Sequence, residues 1–165
     1  MPDKTDKIIK DCFHPEKGKP GLSKVPVNAE LAGKHIEKSH QNLRAMDKMF
    51  EGGLFDWTIV CGYYAIYHAV LASLVKIGIR ASTHYCAIAA FKKFYVERGK
   101  TPPEYIAYIK KAQQLERKYA ETLEIARGKR VVEQYGVKSF SHDDAEWIIE
   151  ETKNFVLEIE GLLAE

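Results

Sequence analysis

A chain of 165 residues with a formal net charge of +2, 45% hydrophobic and 29% charged residues has the length of one domain and enough apolar content for a single core, which excludes a largely disordered chain. Its three cysteines, Cys12, Cys61 and Cys86, are odd in number and form no CxxC pair, so neither a disulfide framework nor a zinc site is expected, and a reducing, cytoplasmic setting fits best. The first 21 residues hold no long apolar run, so no signal peptide is expected, and no membrane span either: the closest stretch, residues 57–75, is interrupted by tyrosines and His68.

Residues 1–27 carry four of the six prolines and read as an irregular arm, with at most a short helical turn around residues 8–13. Residues 28–165 then read as one helical bundle. Asn28 is a fitting N-cap, with Glu30 in the first turn. Ala32, Ile36, Ser39, Leu43, Met46 and Phe50 recur at helical spacing up to Gly52-Gly53. The second helix starts near Phe55 or Asp56 and runs to Gly78. Apolar and aromatic residues occupy all its faces, the mark of a helix buried in the middle of a bundle or in an oligomer interface.

Ser82 is positioned to cap a third helix, with Ala87, Ala90, Phe91 and Phe94 along it and an end near Gly99. Pro102-Pro103 suits the first turn of a fourth, whose stripe is Tyr105, Tyr108/Ile109, Ala112, Leu115, Tyr119, Leu123 and Ala126. Tyr135-Gly136 reads as a loop. Ser141 with Asp144 resembles a capping box at the head of the last helix. No strand-like alternation is found, so the fold class predicted is all-α: an up-and-down bundle of about five helices.

Charge is unevenly spread. Residues 76–130 hold thirteen Lys/Arg against five Asp/Glu, and residues 131–165 hold two against nine. Either the middle is a polyanion-binding face, or the acidic last helix packs beside it and the charges pair; the small net surplus favours pairing.

No glycine-rich phosphate loop, HExxH or nucleophile elbow is present. His35 and His40 are five apart and do not share a helical face, and Cys12 with His14 is no metal site, so no metal or cofactor is expected. What stands out is Tyr63-Tyr64-Ala65-Ile66-Tyr67-His68-Ala69 inside the apolar helix. A histidine there is costly unless it is hydrogen-bonded or lies on a cleft. The plain explanation is a satisfied core or interface histidine among packed tyrosines.

That segment is similar to the R-A-Y-Y-A-x-F-H-A segment of small prokaryotic and archaeal HEPN proteins. Further resemblances follow in the family's order. Gly78 and Ser82-Thr83-His84 resemble its link into the next helix, and Phe91 with Phe94-Tyr95-Val96 its F…F-V helix. Arg127, Arg130 and Tyr135-Gly136 resemble its R…R-x-x-A-D-Y-G stretch, and Ser141, Ala145 and Phe155-Val156 its last helix. The similarity covers roughly residues 29–163.

The resemblance implies a helical bundle that forms a symmetric homodimer through the face bearing the motif helix. Many HEPN proteins are metal-independent ribonucleases acting as toxins or defence effectors, with Arg, four to six residues, then His as their signature. Others pair with a small nucleotidyltransferase, and some bind nucleotides. This chain departs from the signature. The position seven before His68 is Cys61, and no Arg or Lys lies between Gly53 and Val75. A thiol cannot supply the forked, permanent charge of a guanidinium.

Two expectations result. The first is a non-catalytic module of a toxin-antitoxin or defence-type system, binding a nucleotide or RNA phosphate or docking a nucleotidyltransferase. Its ligand-binding candidates are Tyr64, Tyr67, Arg80, His84, Arg127 and Arg130. The alternative is an atypical metal-independent ribonuclease, with His68 as catalytic candidate and a displaced Arg beside it. His68 is expected to line a cleft near the interface with Tyr64 or Tyr67 nearby; residues three and four apart share a face, so Tyr64 and His68 are expected to be neighbours.

Overall fold

The computed structural model of the protein describes residues 4–128 and 140–165, with side chains up to residue 117 and from residue 140 on. Six α-helices dominate these residues: α1 (Lys4–Phe13), α2 (Ala29–Glu51), α3 (Phe55–Lys76), α4 (His84–Phe91), α5 (Glu104–Gly128) and α6 (His142–Ala164). A π-helical turn, Lys92–Val96, continues α4. The expected loop at Tyr135-Gly136 lies outside the described residues.

The caps explain where the helices begin. Asn28 accepts a hydrogen bond from the Leu31 amide at 2.9 Å, and Ser141 with Asp144 forms a full capping box. The third expected helix starts one residue later than predicted. Thr83 Oγ1 accepts from the Cys86 amide at 3.2 Å, while the Ser82 hydroxyl donates to the Pro20 carbonyl at 3.1 Å.

The central helix is α3, packed against α2, α4, α5 and α6. Ile59, Tyr63, Ile66, Val70 and Leu74 are at most 1% exposed. The Ser39 hydroxyl donates to the Ala65 carbonyl at 2.8 Å, tying α2 to α3 at mid-length. Asp56 accepts from the Phe140 amide at 2.6 Å, tying the start of α3 to the segment entering α6. By length and composition α3 is apolar enough to cross a membrane, against the sequence expectation that no stretch would be. Two-thirds of its most apolar 18-residue window is buried within this fold, 67%, which accounts for its composition without a bilayer.

The first 27 residues differ most from expectation. They are not an irregular arm: they hold the ten-residue α1 and a strand, β1 (Leu22–Lys24). Thr5, Ile8, Ile9, Cys12 and Phe13 share one face of α1, with Thr5 and Cys12 buried. The prolines at 15, 20 and 26 all follow α1, so they leave its hydrogen bonds intact. β1 pairs antiparallel with β2 (Ile79–Ala81), with Ser23 opposite Arg80. Gly78 makes the turn from α3 into β2 at φ +76°, where a Cβ would stand 2.8 Å from the Val25 carbonyl oxygen.

Cys12 of α1 and Cys86 of α4 form a disulfide, contrary to the inference drawn from the cysteine count. They lie 74 residues apart in sequence with Cα atoms 5.8 Å apart, and only the packing of α1 on α4 brings them together. Cys61 alone remains free. The cysteine pattern therefore carries no argument for a reducing compartment.

The charge expectation lies partly outside the described residues, and within them Lys111 acts on Glu151 of α6 through its charge without forming an ion pair. Among the described residues, no Lys or Arg of residues 76–117 forms an ion pair with an acidic residue of α6. Lys92 and Lys93 pair with Glu97 and Asp6, and α6 instead pairs with α2, through Lys153–Asp47 at 2.8 Å and His40–Glu160 at 2.6 Å.

Candidate functional site

The least covered side of α3 carries Cys61, Tyr64, Tyr67, His68 and Leu71, half-buried to exposed, at helical spacing. Its neighbours are α2 on one flank and the head of α4 on the other. They bring two further histidines to the motif helix.

His35 of α2 faces His68, with the two Nδ1 atoms 3.2 Å apart and ring centroids 5.4 Å apart. One imidazole donates from Nδ1 and the other accepts, so the pair holds together with both rings neutral. Burial, the His35 ring and then Lys38 push His68 down to about 4, and burial also lowers His35. At neutral pH, His68 is thus an uncharged imidazole, available to take a proton but seldom holding one to give.

The second group is His84 with the tyrosines. His84 Nδ1 lies 2.6 Å from the Tyr63 hydroxyl, and its ring stacks on Tyr67 with centroids 3.9 Å apart. Tyr64 meets the same imidazole edge-on at 6.2 Å. Burial raises the Tyr63 hydroxyl strongly, with the Glu116 charge adding to it and the Arg117 charge opposing. Tyr63 stays protonated and can donate to His84, leaving that ring's proton on Nε2. Tyr67 lies against both histidine groups, its ring 6.2 Å from that of His68.

Tyr67 and His84 are therefore in contact, Tyr64 borders them, and His68 adjoins Tyr67. The expected Tyr64–His68 contact is not made among the described interactions; the ring neighbours of His68 are His35 and Tyr67. Arg80 lies exposed on β2, with no ion pair or hydrogen bond from its guanidinium among the described residues. The Arg127 side chain and all of Arg130 lie outside the described residues.

Three contributors went unrecognised in the sequence: His35, Glu116 and Arg117. His35 is 33 residues from His68, and helical spacing within one segment cannot reveal a partner on another. Glu116 and Arg117 sit on α5, and their charges reach the Tyr63 hydroxyl.

Cys61 is half-buried, and burial raises its thiol, which keeps it protonated and uncharged. Elsewhere, His142, Asp143 and Glu146 bring possible metal-ligating atoms within 4.8 Å of one another on the first turn of α6. All three are exposed, and the His142 ring packs against Phe50 and Phe55, so the cluster is an ordinary acidic helix start.

Comparison with known proteins identifies the family. The HEPN domain family matches residues 32–162. The chain is also 28% identical over 130 residues to a protein of Methanocaldococcus jannaschii named "putative toxin", a match spanning 79% of this chain and 87% of that protein.

Proposed function

The chain belongs to the HEPN domain family, and we propose that within it this protein is a non-catalytic module of a toxin-antitoxin or defence-type system. It acts as a twofold homodimer that holds a nucleotide or RNA phosphate, or docks a nucleotidyltransferase partner, over the Tyr64–Tyr67–His84 face. The likeness to a protein named as a toxin supports the setting. The stripe of Cys61, Tyr64, Tyr67, His68 and Leu71, left partly open by the other described helices, supports the dimer: such self-complementary patches suit a twofold axis.

One observation carries the absence of catalysis. At the place of the family's arginine stands a neutral, half-buried thiol, and the histidine after it is held neutral against a second histidine. Cleavage of RNA through its 2′-hydroxyl needs proton transfer and a fixed positive charge on the phosphoryl oxygens. His68 can accept a proton; Cys61 cannot supply the charge. Loss of one such stabiliser slows a reaction by on the order of a hundredfold or more.

The atypical-ribonuclease reading keeps one structural point in its favour: Arg117, whose charge reaches Tyr63, is a cation close to this face. The deciding experiment incubates structured and unstructured RNA with the protein in chelator, as wild type, His68→Ala, Arg117→Ala and Cys61→Arg. No cleavage by wild type is expected, with activity emerging in Cys61→Arg. Robust wild-type cleavage that vanishes in His68→Ala or Arg117→Ala refutes the non-catalytic reading. Sedimentation as a monomer at micromolar concentration refutes the dimer.

A further inference from the structure

A second site lies on the other side of α4, where α1, α4 and α5 enclose a cavity of about 320 Å³. Its apolar floor includes Ile8 of α1, Ile88 of α4 and Ile106 of α5. Three lysines, Lys4, Lys92 and Lys110, line it, one from α1, one from the π-helical turn and one from α5, and no acidic residue does. Tyr85, 63% exposed, stands at its edge.

The lysines differ in what already occupies them. Lys92 donates to the buried Thr5 hydroxyl at 3.0 Å and lies 3.8 Å from Glu97. Lys4 and Lys110 make no ion pair among the described residues. Two ammonium groups are thus left for an anion, and the third is held in place by α1 itself. Apolar walls, a flat aromatic ring and two lysines without an ion-pair partner among the described residues, on a lining that holds no acidic residue, are the complement of a ligand that is planar at one end and anionic at the other.

We propose that this cavity binds a nucleoside phosphate, with the base against Tyr85 and the isoleucine floor and the phosphate between Lys4, Lys92 and Lys110. One nucleotide matches the cavity's size. The site is distinct from the tyrosine–histidine face, and its α1 wall precedes residue 32, where the family match begins. The Cys12–Cys86 disulfide pins that wall: Cys12 lies one turn along α1 from Ile8, and Cys86 follows Tyr85. Ligand binding is therefore coupled to the disulfide, since reduction frees the element that carries Lys4 and Thr5.

Calorimetric titration with adenosine 5′-monophosphate, adenosine and inorganic phosphate tests the site. The monophosphate is expected to bind at least roughly tenfold tighter than either fragment. Lys110→Ala and Tyr85→Ala, both at the surface, should each weaken it roughly tenfold, the usual effect of losing one charged or stacking contact. Leu157→Ala, 69% exposed on α6 and outside both sites, should leave it unchanged, and Cys12→Ser should weaken it. Competition by a 5′-phosphorylated tetranucleotide assigns the ligand to an RNA end, and lack of competition to a free nucleotide; either supports the site. The proposal is overturned by no binding at millimolar monophosphate, or by binding that Lys110→Ala and Tyr85→Ala leave intact. Binding lost only in Tyr64→Ala overturns it too, placing the ligand on the opposite face without touching the non-catalytic reading.

Discussion

Acidification should destabilise this fold through His68, by an amount the structure sets. An unfolded histidine titrates near 6.5, and in the fold His68 is pushed down to about 4. Between those values the unfolded chain binds the extra proton, so stability is fully present above the unfolded value and declines as pH falls from about 6.5 toward about 4. At about 1.36 kcal/mol per unit the ceiling is about 3.4 kcal/mol, of which about 1.8 kcal/mol is lost between about pH 7 and pH 5. His68 is only half-buried, and screening by solvent brings the expectation to about 1 kcal/mol.

His35 and His84, also lowered by burial, act in the same direction, whereas Glu116 and Glu151, raised by burial, oppose it. The comparison that isolates His68 is therefore wild type against His68→Asn, whose amide can still bond to His35. Urea denaturation at pH 7, 6 and 5, followed by two probes to check two-state behaviour, measures it. Wild type should lose about 1 kcal/mol more than the variant between those limits. Identical pH slopes for the two proteins would refute the argument, showing that the His35–His68 pair is as easily protonated when folded as when unfolded.

Gly62→Ala should destabilise by about 1–2 kcal/mol despite alanine's better helix propensity, read from the urea midpoint. A Cβ there would lie 2.6 Å from Ile148 Cγ1 of α6 and 3.2 Å from Met46 Sδ of α2. Thr152→Val, beside it, should be neutral or stabilising by up to about 1 kcal/mol, because the buried Thr152 hydroxyl has no hydrogen-bond partner and the methyl keeps the volume. Cys12→Ser, or reduction of the wild type, should cost about 2–4 kcal/mol in a melt with and without dithiothreitol; equal melting would show that the long loop gains nothing from its closure.

Features that depend on short spacing were legible in the sequence. Asn28, Gly52-Gly53 and Ser141 with Asp144 mark the ends of α2 and the start of α6, because capping is a contact between residues three apart. The run from Phe55 to Lys76 announced a buried helix because no arc of it is polar enough to face water. What escaped were contacts between distant segments and elements too short to show a period. The strands have three residues each, which no alternation can establish. The helical face of α1 was present in Thr5, Ile8, Ile9 and Cys12, but the prolines that follow it outweighed the pattern. The disulfide and the His35–His68 pair required the tertiary fold.

The site shows the same division. His68 could be singled out because an imidazole inside an apolar helix needs a partner, yet the partner's identity decides the chemistry. Between Asp56 and Lys76, α3 has no charged residue, so the formal charges acting on its histidine and on the buried tyrosine behind its open face come from neighbours: Lys38 from α2 on His68, and Glu116 and Arg117 from α5 on Tyr63. Of these, only Arg117 offers the guanidinium geometry that grips a phosphate bidentately, and it lies on a different helix from the histidine it would have to assist. A cation on the same helix, four to seven residues before His68, would be held in register with it by the backbone. One on α5 has its position set by how α5 packs on α3, through Ile109, Ala112 and Leu115 in the core. Restoring a cation at Cys61 and removing Arg117 are thus independent perturbations of one electrostatic deficit, and their opposite effects on phosphate affinity would show whether the open face lacks a charge or borrows one.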